Sequence, residues 1–305
     1  VILLSNPAVT VSGLVKRYGK TAAVNHISFE IGQGEVFGLL GPNGAGKTTT
    51  LECLEGLRNA DAGTLMVAGC DVKTGGKELR RKLGVQLQSS SLPSSIRVDE
   101  AIKLVCCWQG MPPRPDLPER FGIADLLKKQ YHQLSTGQKR RLHLALALAC
   151  NPSVVVLDEP TAGLDVQGRA QLHDAIRSLK AEGITVLLAT HDMAEAETLC
   201  DRIAILIRGK VAATGTPAQI TAAGNRETKI SLRTGSGRLP ADCEGARFIQ
   251  TSENYGIWMC ADASVTVMDL LKKVQQSGDT VEDLRVERPS LEERFLELVE
   301  GGITE

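Results

Sequence analysis

The chain has 305 residues, 42% hydrophobic and 23% charged, the balance of a globular protein with room for one large domain and a small one. A net charge of -1 and only 3% aromatic residues give neither the positive field nor the stacking platforms of a nucleic-acid binder. The eight cysteines contain no C-x-x-C pair and read as reduced thiols, no apolar run reaches the roughly 18 residues of a membrane span, and residues 1–4 are too short and lack the basic start of a secretion signal. The chain is therefore expected in the cytosol, reaching a membrane only through a partner.

Residues 9–15 and 24–29 read as strands, and 36–40 as a short buried strand. That strand runs into Gly41-Pro42-Asn43-Gly44-Ala45-Gly46-Lys47-Thr48, which fits G-x-x-x-x-G-K-[ST] and is followed by Thr49. Glycines let backbone N–H groups turn inward around a polyanion, Lys47 adds a charge for the β- and γ-phosphates, and the Thr48 hydroxyl is placed for Mg²⁺. Residues 48–55 read as a helix with Leu51 and Leu54 on one face. Strand, glycine loop and helix N-terminus together make an anion site. Residues 64–67 form another strand, ended by Gly69.

Residues 99–150 are predicted helical, broken by a loop at 111–118 where four prolines fall in eight residues. Leu134-Ser135-Thr136-Gly137-Gln138 caps the run 139–149, and Ser135 sits where a hydroxyl and free N–H groups face an incoming anion. Residues 153–157 and 184–189 are apolar, β-branched and uninterrupted, as in strands of a parallel sheet buried on both faces. The run 169–181 between them is the crossover helix, burying Leu172, Ile176 and Leu179. The first of these strands ends in Asp158 and Glu159. Asp158 can support Mg²⁺ through water, and Glu159 can orient and deprotonate an attacking water.

A seam is expected at 221–225. Beyond it come short strands at 228–233, 247–250 and 257–261, a helix at 265–276 with Val267, Leu270, Leu271 and Val274 on its stripe, a strand near 284–287 and a last helix. Ser290 and Glu293 form that helix's capping box, and Leu291, Phe295 and Leu298 its apolar face. The tail is a small α+β domain near the lower size limit for an independent core, expected to dock on the first domain or on a second copy.

The ordered set of phosphate loop, Gln88 after a strand, Leu-Ser-x-Gly-Gln, strand-Asp-Glu, Gly163-Leu164-Asp165 and His191 after a strand resembles the ATP-binding-cassette (ABC) family over residues 8–222. The resemblance implies an α/β phosphate-loop NTPase cassette at 1–222, with a mixed or parallel sheet and a helical subdomain at about 89–150, and an accessory α+β domain at 223–305. It implies ATP and Mg²⁺ as cofactors. Two copies would face head to tail, with ATP between the phosphate loop of one and Ser135, Thr136, Gly137 and Gln138 of the other. Tyr18 would stack on adenine, and residues 41–49 would hold the phosphates. Thr48, Gln88 and Asp158 would serve the metal, and Gln88 would also relay nucleotide state. Glu159 would be the general base, His191 would contact the γ-phosphate, and Asp165 would lie in the turn that crosses to the other copy. His26, His132, His143 and His173 have no such placement and are read as structural. The family's usual glycine is Thr136 here, a threonine familiar in exporter-type members, and its β-branch requires an ordinary φ. The ending from Pro289 to Leu298 is similar to that of exporter-type ATPases of the daunorubicin-resistance branch and their drug, lipid and polysaccharide relatives. The implied partner is a separate membrane permease at the cytoplasmic face, with no nucleic acid. An importer ATPase, or a soluble cassette acting on ribosomes or DNA, is the alternative.

Overall fold

A computed structural model describes residues 6–87, 91–224, 227–240, 242–287 and 289–301. Residues 1–4 and Gln88 lie outside them. The chain divides into two units, Val1–Pro217 and Ala218–Glu305. In chain order the first contains β1 (Val9–Tyr18), β2 (Thr21–Ile31), β3 (Val36–Leu40), α1 (Lys47–Leu54), β4 (Ala62–Val67), β5 (Cys70–Asp71), α2 (Gly76–Lys82), β6 (Leu83–Gln86), α3 (Val98–Trp108), α4 (Asp116–Arg120), α5 (Thr136–Ala147), β7 (Val154–Asp158), α6 (Val166–Ala181), β8 (Thr185–Thr190), α7 (Met193–Leu199), β9 (Arg202–Ile207) and β10 (Lys210–Gly215).

The uninterrupted apolar runs become the middle of a six-stranded sheet of order β10-β9-β3-β8-β7-β6, parallel except for β10 at one edge. Every residue of β3, β7 and β8 is buried, because elements cover both faces of a parallel sheet. Leu172, Ile176 and Leu179 of the crossover helix α6 are fully buried, as their spacing predicts. A second, antiparallel sheet, β2-β1-β4-β5, shares its core with the first. Phe29 of β2 stacks on Phe37 of β3 at 5.3 Å between ring centroids.

The proline-rich break is not loop throughout. Residues 116–120 form α4, with Pro118 in its first turn. A proline there forfeits only an N–H that has no helical partner, so helix is allowed.

The second unit carries α8 (Pro217–Ala222), β11 (Thr228–Thr234), β12 (Ala246–Ser252), β13 (Tyr255–Cys260), α9 (Ala263–Gln276), β14 (Val281–Glu287) and α10 (Leu291–Gly301). Its antiparallel sheet, β12-β13-β11-β14, packs Ile230, Leu232, Trp258 and Cys260 against Leu270 and Val274 of α9. The stripe on α9 differs from expectation by one residue. Thr266 is buried beside Leu270 and Val274, whereas Leu271 is 39% exposed, since one helical step of 100° takes it off the face. Ser290 and Glu293 close the expected capping box: Glu293 N donates to Ser290 Oγ at 3.1 Å and Ser290 N to Glu293 Oε2 at 3.2 Å. The division falls between Pro217 and Ala218, at the first residue of α8 and slightly ahead of the expected seam.

Candidate functional site

Strand register assembles the site. Leu40, at the end of β3, pairs with Thr190, at the end of β8, and Asp158, at the end of β7, pairs with Ala189. The carboxyl ends of three parallel strands are therefore level, the usual ligand position of an open α/β sheet. From β3 the chain enters the glycine loop and then α1, whose N-cap, Gly46, has φ +103. A Cβ at Gly46 would lie 2.5 Å from the Ala23 carbonyl oxygen, so conformation and space both demand glycine. No side chain caps α1, which leaves its first-turn N–H groups to a ligand.

Lys47 is buried at the foot of this loop. Its Nζ donates to the Gly41 carbonyl at 2.7 Å and to that of Pro42 at 3.3 Å, and lies 3.9 Å from Glu159 Oε1. Burial lowers its pKa, while the Glu159 and Asp158 carboxylates oppose the shift. The Thr48 hydroxyl donates to Asp158 Oδ2 at 3.2 Å. Asp158 is 2% exposed and its Oδ1 has no hydrogen-bond partner among the described residues. Burial raises its pKa, and the Thr48 hydrogen bond works against that.

Glu159 follows β7 directly, with φ +48, a left-handed conformation that costs a non-glycine residue about 1–2 kcal/mol. Its N–H donates to the Ala189 carbonyl at 2.9 Å, which ties the strained residue to β8. Its side chain is buried, with Oε2 2.7 Å from Nδ1 of His191, whose own side chain is 63% exposed. The phosphate loop, Lys47, Thr48, Thr49, Glu159 and Ala23 of β2 line one cleft of about 250 Å³. It presents a cation, helix-end N–H groups, hydroxyls and one carboxylate to a single polyanion.

Ser135, Thr136, Gly137 and Gln138 lie elsewhere on the same unit, in a hollow of about 480 Å³ shared with Gly163 and Asp165. Ser135 N-caps α5: Gln138 N donates to its Oγ at 3.3 Å, and its N–H donates to Gln138 Oε1 at 3.0 Å. The Ser135 hydroxyl proton stays available to an acceptor. Thr136 lies in the first turn of α5 and is not among the residues of positive φ, as its β-branch requires. Asp165 caps α6, its Oδ1 accepting from Gly168 N at 2.8 Å. The two hollows have no lining residue in common.

Tyr18 ends β1 and is 45% exposed, with the Arg58 guanidinium 5.5 Å from its ring centroid and Lys16 Nζ 5.9 Å away. It does not line the phosphate cleft. The expected role of Gln88 lies outside the described residues. Ala23 and Arg141 are among the lining residues missed from sequence. Ala23 left no signal, because its place in the cleft comes from sheet packing. Arg141 lines the second hollow; its place three residues after Gln138 on one helix was the available clue.

Residues 24–162 match the ABC transporter family. The daunorubicin resistance ATP-binding protein DrrA3 of Streptomyces coeruleorubidus is 35% identical over 97% of this chain and 96% of its own length. The Nod factor export ATP-binding protein I of Ralstonia nicotianae is 41% identical over 71% of this chain and 69% of its own. Among solved structures, an ATP-binding subunit of an ABC transporter superposes with a TM-score of 0.66 at 28% identity, covering 71% of this chain and 92% of that one. The cbiO1 protein of Clostridium perfringens, part of an ABC transporter complex, does so at 0.63 and 30%, covering 72% and 92%. This chain belongs to the ATP-binding subunits of the ABC transporter family, and its fold is the α/β phosphate-loop cassette expected. It is an ATP-binding protein and an ATPase coupled to transport, resembling the daunorubicin-resistance branch.

Proposed function

We propose that this chain hydrolyses ATP to power export of a drug, lipid or polysaccharide-like substrate through a separate permease, working as a pair of copies on the cytoplasmic face of the membrane. The carrying observation is the cleft itself: Lys47, Thr48 and Glu159 line one hollow at the strand ends, with His191 bonded to Glu159 at 2.7 Å. Residues 41–49 hold the phosphates. Lys47 exchanges its bonds to the Gly41 and Pro42 carbonyls for phosphate oxygens. Glu159 takes a proton from the attacking water, an effect worth roughly 10²–10⁴ in rate. His191, whose Nδ1 donates to Glu159, donates from Nε2 to the γ-phosphate in its doubly protonated form.

The residues present fit Mg²⁺. Asp158 Oδ1 is buried with no partner among the described residues, and the Thr48 hydroxyl stands beside the same carboxylate. Two oxygen donors suit an ion that takes its other ligands from phosphate and water, and among the described residues no cluster of three or more His, Cys, Asp or Glu offers another metal site. When bound, Mg²⁺ neutralises charge building on the phosphates. Gln88 is proposed as its further contact.

The hollow around Ser135 completes the nucleotide site of a second copy. Its separation from the loop cleft of the same chain supports this arrangement. Asp165 lies at the crossing turn, and Tyr18 offers its exposed ring to adenine. Export is supported by two relatives, one a daunorubicin resistance protein and the other a Nod factor export protein. A separate permease is supported because no helix among the described residues is long and apolar enough to cross a membrane. It is also supported by a largely apolar groove of about 570 Å³, which includes Leu57, Val85, Leu87 and Trp108. Replacing Glu159 with Gln tests the mechanism. ATP binding persists, hydrolysis falls at least a hundredfold, and ATP traps a dimer; unchanged hydrolysis refutes the base assignment.

A further inference from the structure

Beside the apolar groove lies a second hollow of about 450 Å³, lined by Lys77, Arg80 and Arg81 of α2 and by Cys107, Trp108, Gln109 and Gly110 at the end of α3. Nothing in the nucleotide chemistry uses it. Helix α2 carries four cations and one carboxylate in seven residues. That carboxylate, Glu78, is taken by Lys82 at 2.7 Å. Lys77, Arg80 and Arg81 are exposed and make no ion pair among the described residues. In a chain of net charge -1, this is a local concentration of uncompensated positive charge. Trp108 stands at its edge, 87% exposed, with Leu104, 56% exposed, one turn back along α3.

Exposed cations beside an exposed indole match the boundary layer of a bilayer. Anionic phosphates meet Lys and Arg there, and indole sits at headgroup depth. A soluble partner's acidic surface would match the charge but would leave the exposed Leu104, which lines neither hollow, without an apolar neighbour. We propose that this ledge binds the phosphate headgroups of anionic phospholipids, with Trp108 entering the interface. The proposal rests on the permease reading for its orientation, because the ledge shares Arg80, Trp108 and Gln109 with the groove assigned to the permease. A groove seated on a membrane subunit turns the ledge toward the lipid around it.

Sedimentation of the full chain with vesicles tests this without the permease. The chain is expected to bind vesicles of phosphatidylcholine containing phosphatidylglycerol and to leave pure phosphatidylcholine vesicles in solution. Lys77 and Arg81 line the ledge but not the groove, so Lys77→Ala with Arg81→Ala isolates it. At about fivefold per cation near an anionic surface, the pair should weaken partitioning roughly twenty-five-fold. ATP affinity and melting temperature serve as controls for folding. Added salt should weaken binding as the Debye length shortens. Equal binding to both kinds of vesicle, unchanged binding by the double variant, or displacement by millimolar glycerol phosphate overturns the proposal. None of these outcomes bears on co-purification with a permease, which tests the functional reading separately.

Discussion

Glu55 gives the sharpest quantitative test. It follows α1, and neither carboxyl oxygen has a hydrogen-bond partner among the described residues. Burial first, then the charges of Asp158 and Glu52, push its pKa up from 4.5 to about 8. An acid whose pKa is raised on folding imposes no penalty below its unfolded value. As pH rises above 4.5, the unfolded chain releases a proton that the folded chain keeps, and stability falls by about 1.4 kcal/mol per pH unit until the folded group itself ionises near pH 8. Over that window the upper bound is about 5 kcal/mol, and local relaxation would bring it to roughly 2–3 kcal/mol. Glu55→Gln removes the titration and keeps the shape. Urea unfolding of both proteins near pH 5 and pH 8, monitored on the transition of the first unit, should show the variant gaining on the parent by about 2–3 kcal/mol between the two. His143 works in the opposite sense: burial lowers its pKa from 6.5 to about 4, so its contribution is present above pH 6.5 and is lost as pH falls toward 4. It acts equally in both proteins and cancels in the difference. A difference that does not change with pH would refute the reasoning.

Asp158→Asn should weaken magnesium dependence of nucleotide binding by about 10–100-fold. Without magnesium it should raise the melting temperature at neutral pH, because Asp158's raised pKa makes its ionised form a cost above pH 3.8; calorimetry with and without the ion checks both. Tyr131→Phe removes the hydroxyl 2.9 Å from His143 Nε2 in a buried pair and should cost about 1–3 kcal/mol by urea unfolding. Deleting residues 226–305 should leave ATP binding intact and weaken nucleotide-dependent dimerisation, read by sedimentation velocity; unaltered assembly would exclude a dimer-holding role for the tail.

Much of the architecture was legible because it is written in short-range pattern. Residues 36–40, the glycine loop and the apolar run at 153–157 each announce their structure locally, and the crossover helix buried the three residues its period selects. What was not legible depends on distance. Glu159 and His191 are 32 residues apart, and their 2.7 Å contact follows from the register of β7 on β8, which periodicity does not encode. The bond of Lys47 to Gly41 depends on loop curvature that the motif permits without specifying. Glu55 reads as an ordinary surface residue near the end of a helix, and neither the burial of its carboxyl nor the nearby Asp158 charge is visible in the local sequence. Pro118 misled for the opposite reason: composition marked a breaker, and its place in the first turn made it harmless.

The strands that carry the chemistry are buried on both faces, and this has a cost in alignment. Where inward and outward residues alternate, sliding one strand by a single residue exposes its oily side, and the error corrects itself. Val154-Val155-Val156-Leu157 has no such alternation and would be nearly as content one notch along. The penalty for slipping sits at the tips, where Asp158 would be dragged in among hydrocarbon or Ser153 would lose the Lys82 carbonyl that its N–H holds at 3.0 Å. The acids at the end of this strand thus serve assembly before any nucleotide arrives, as stops that set where the strand comes to rest.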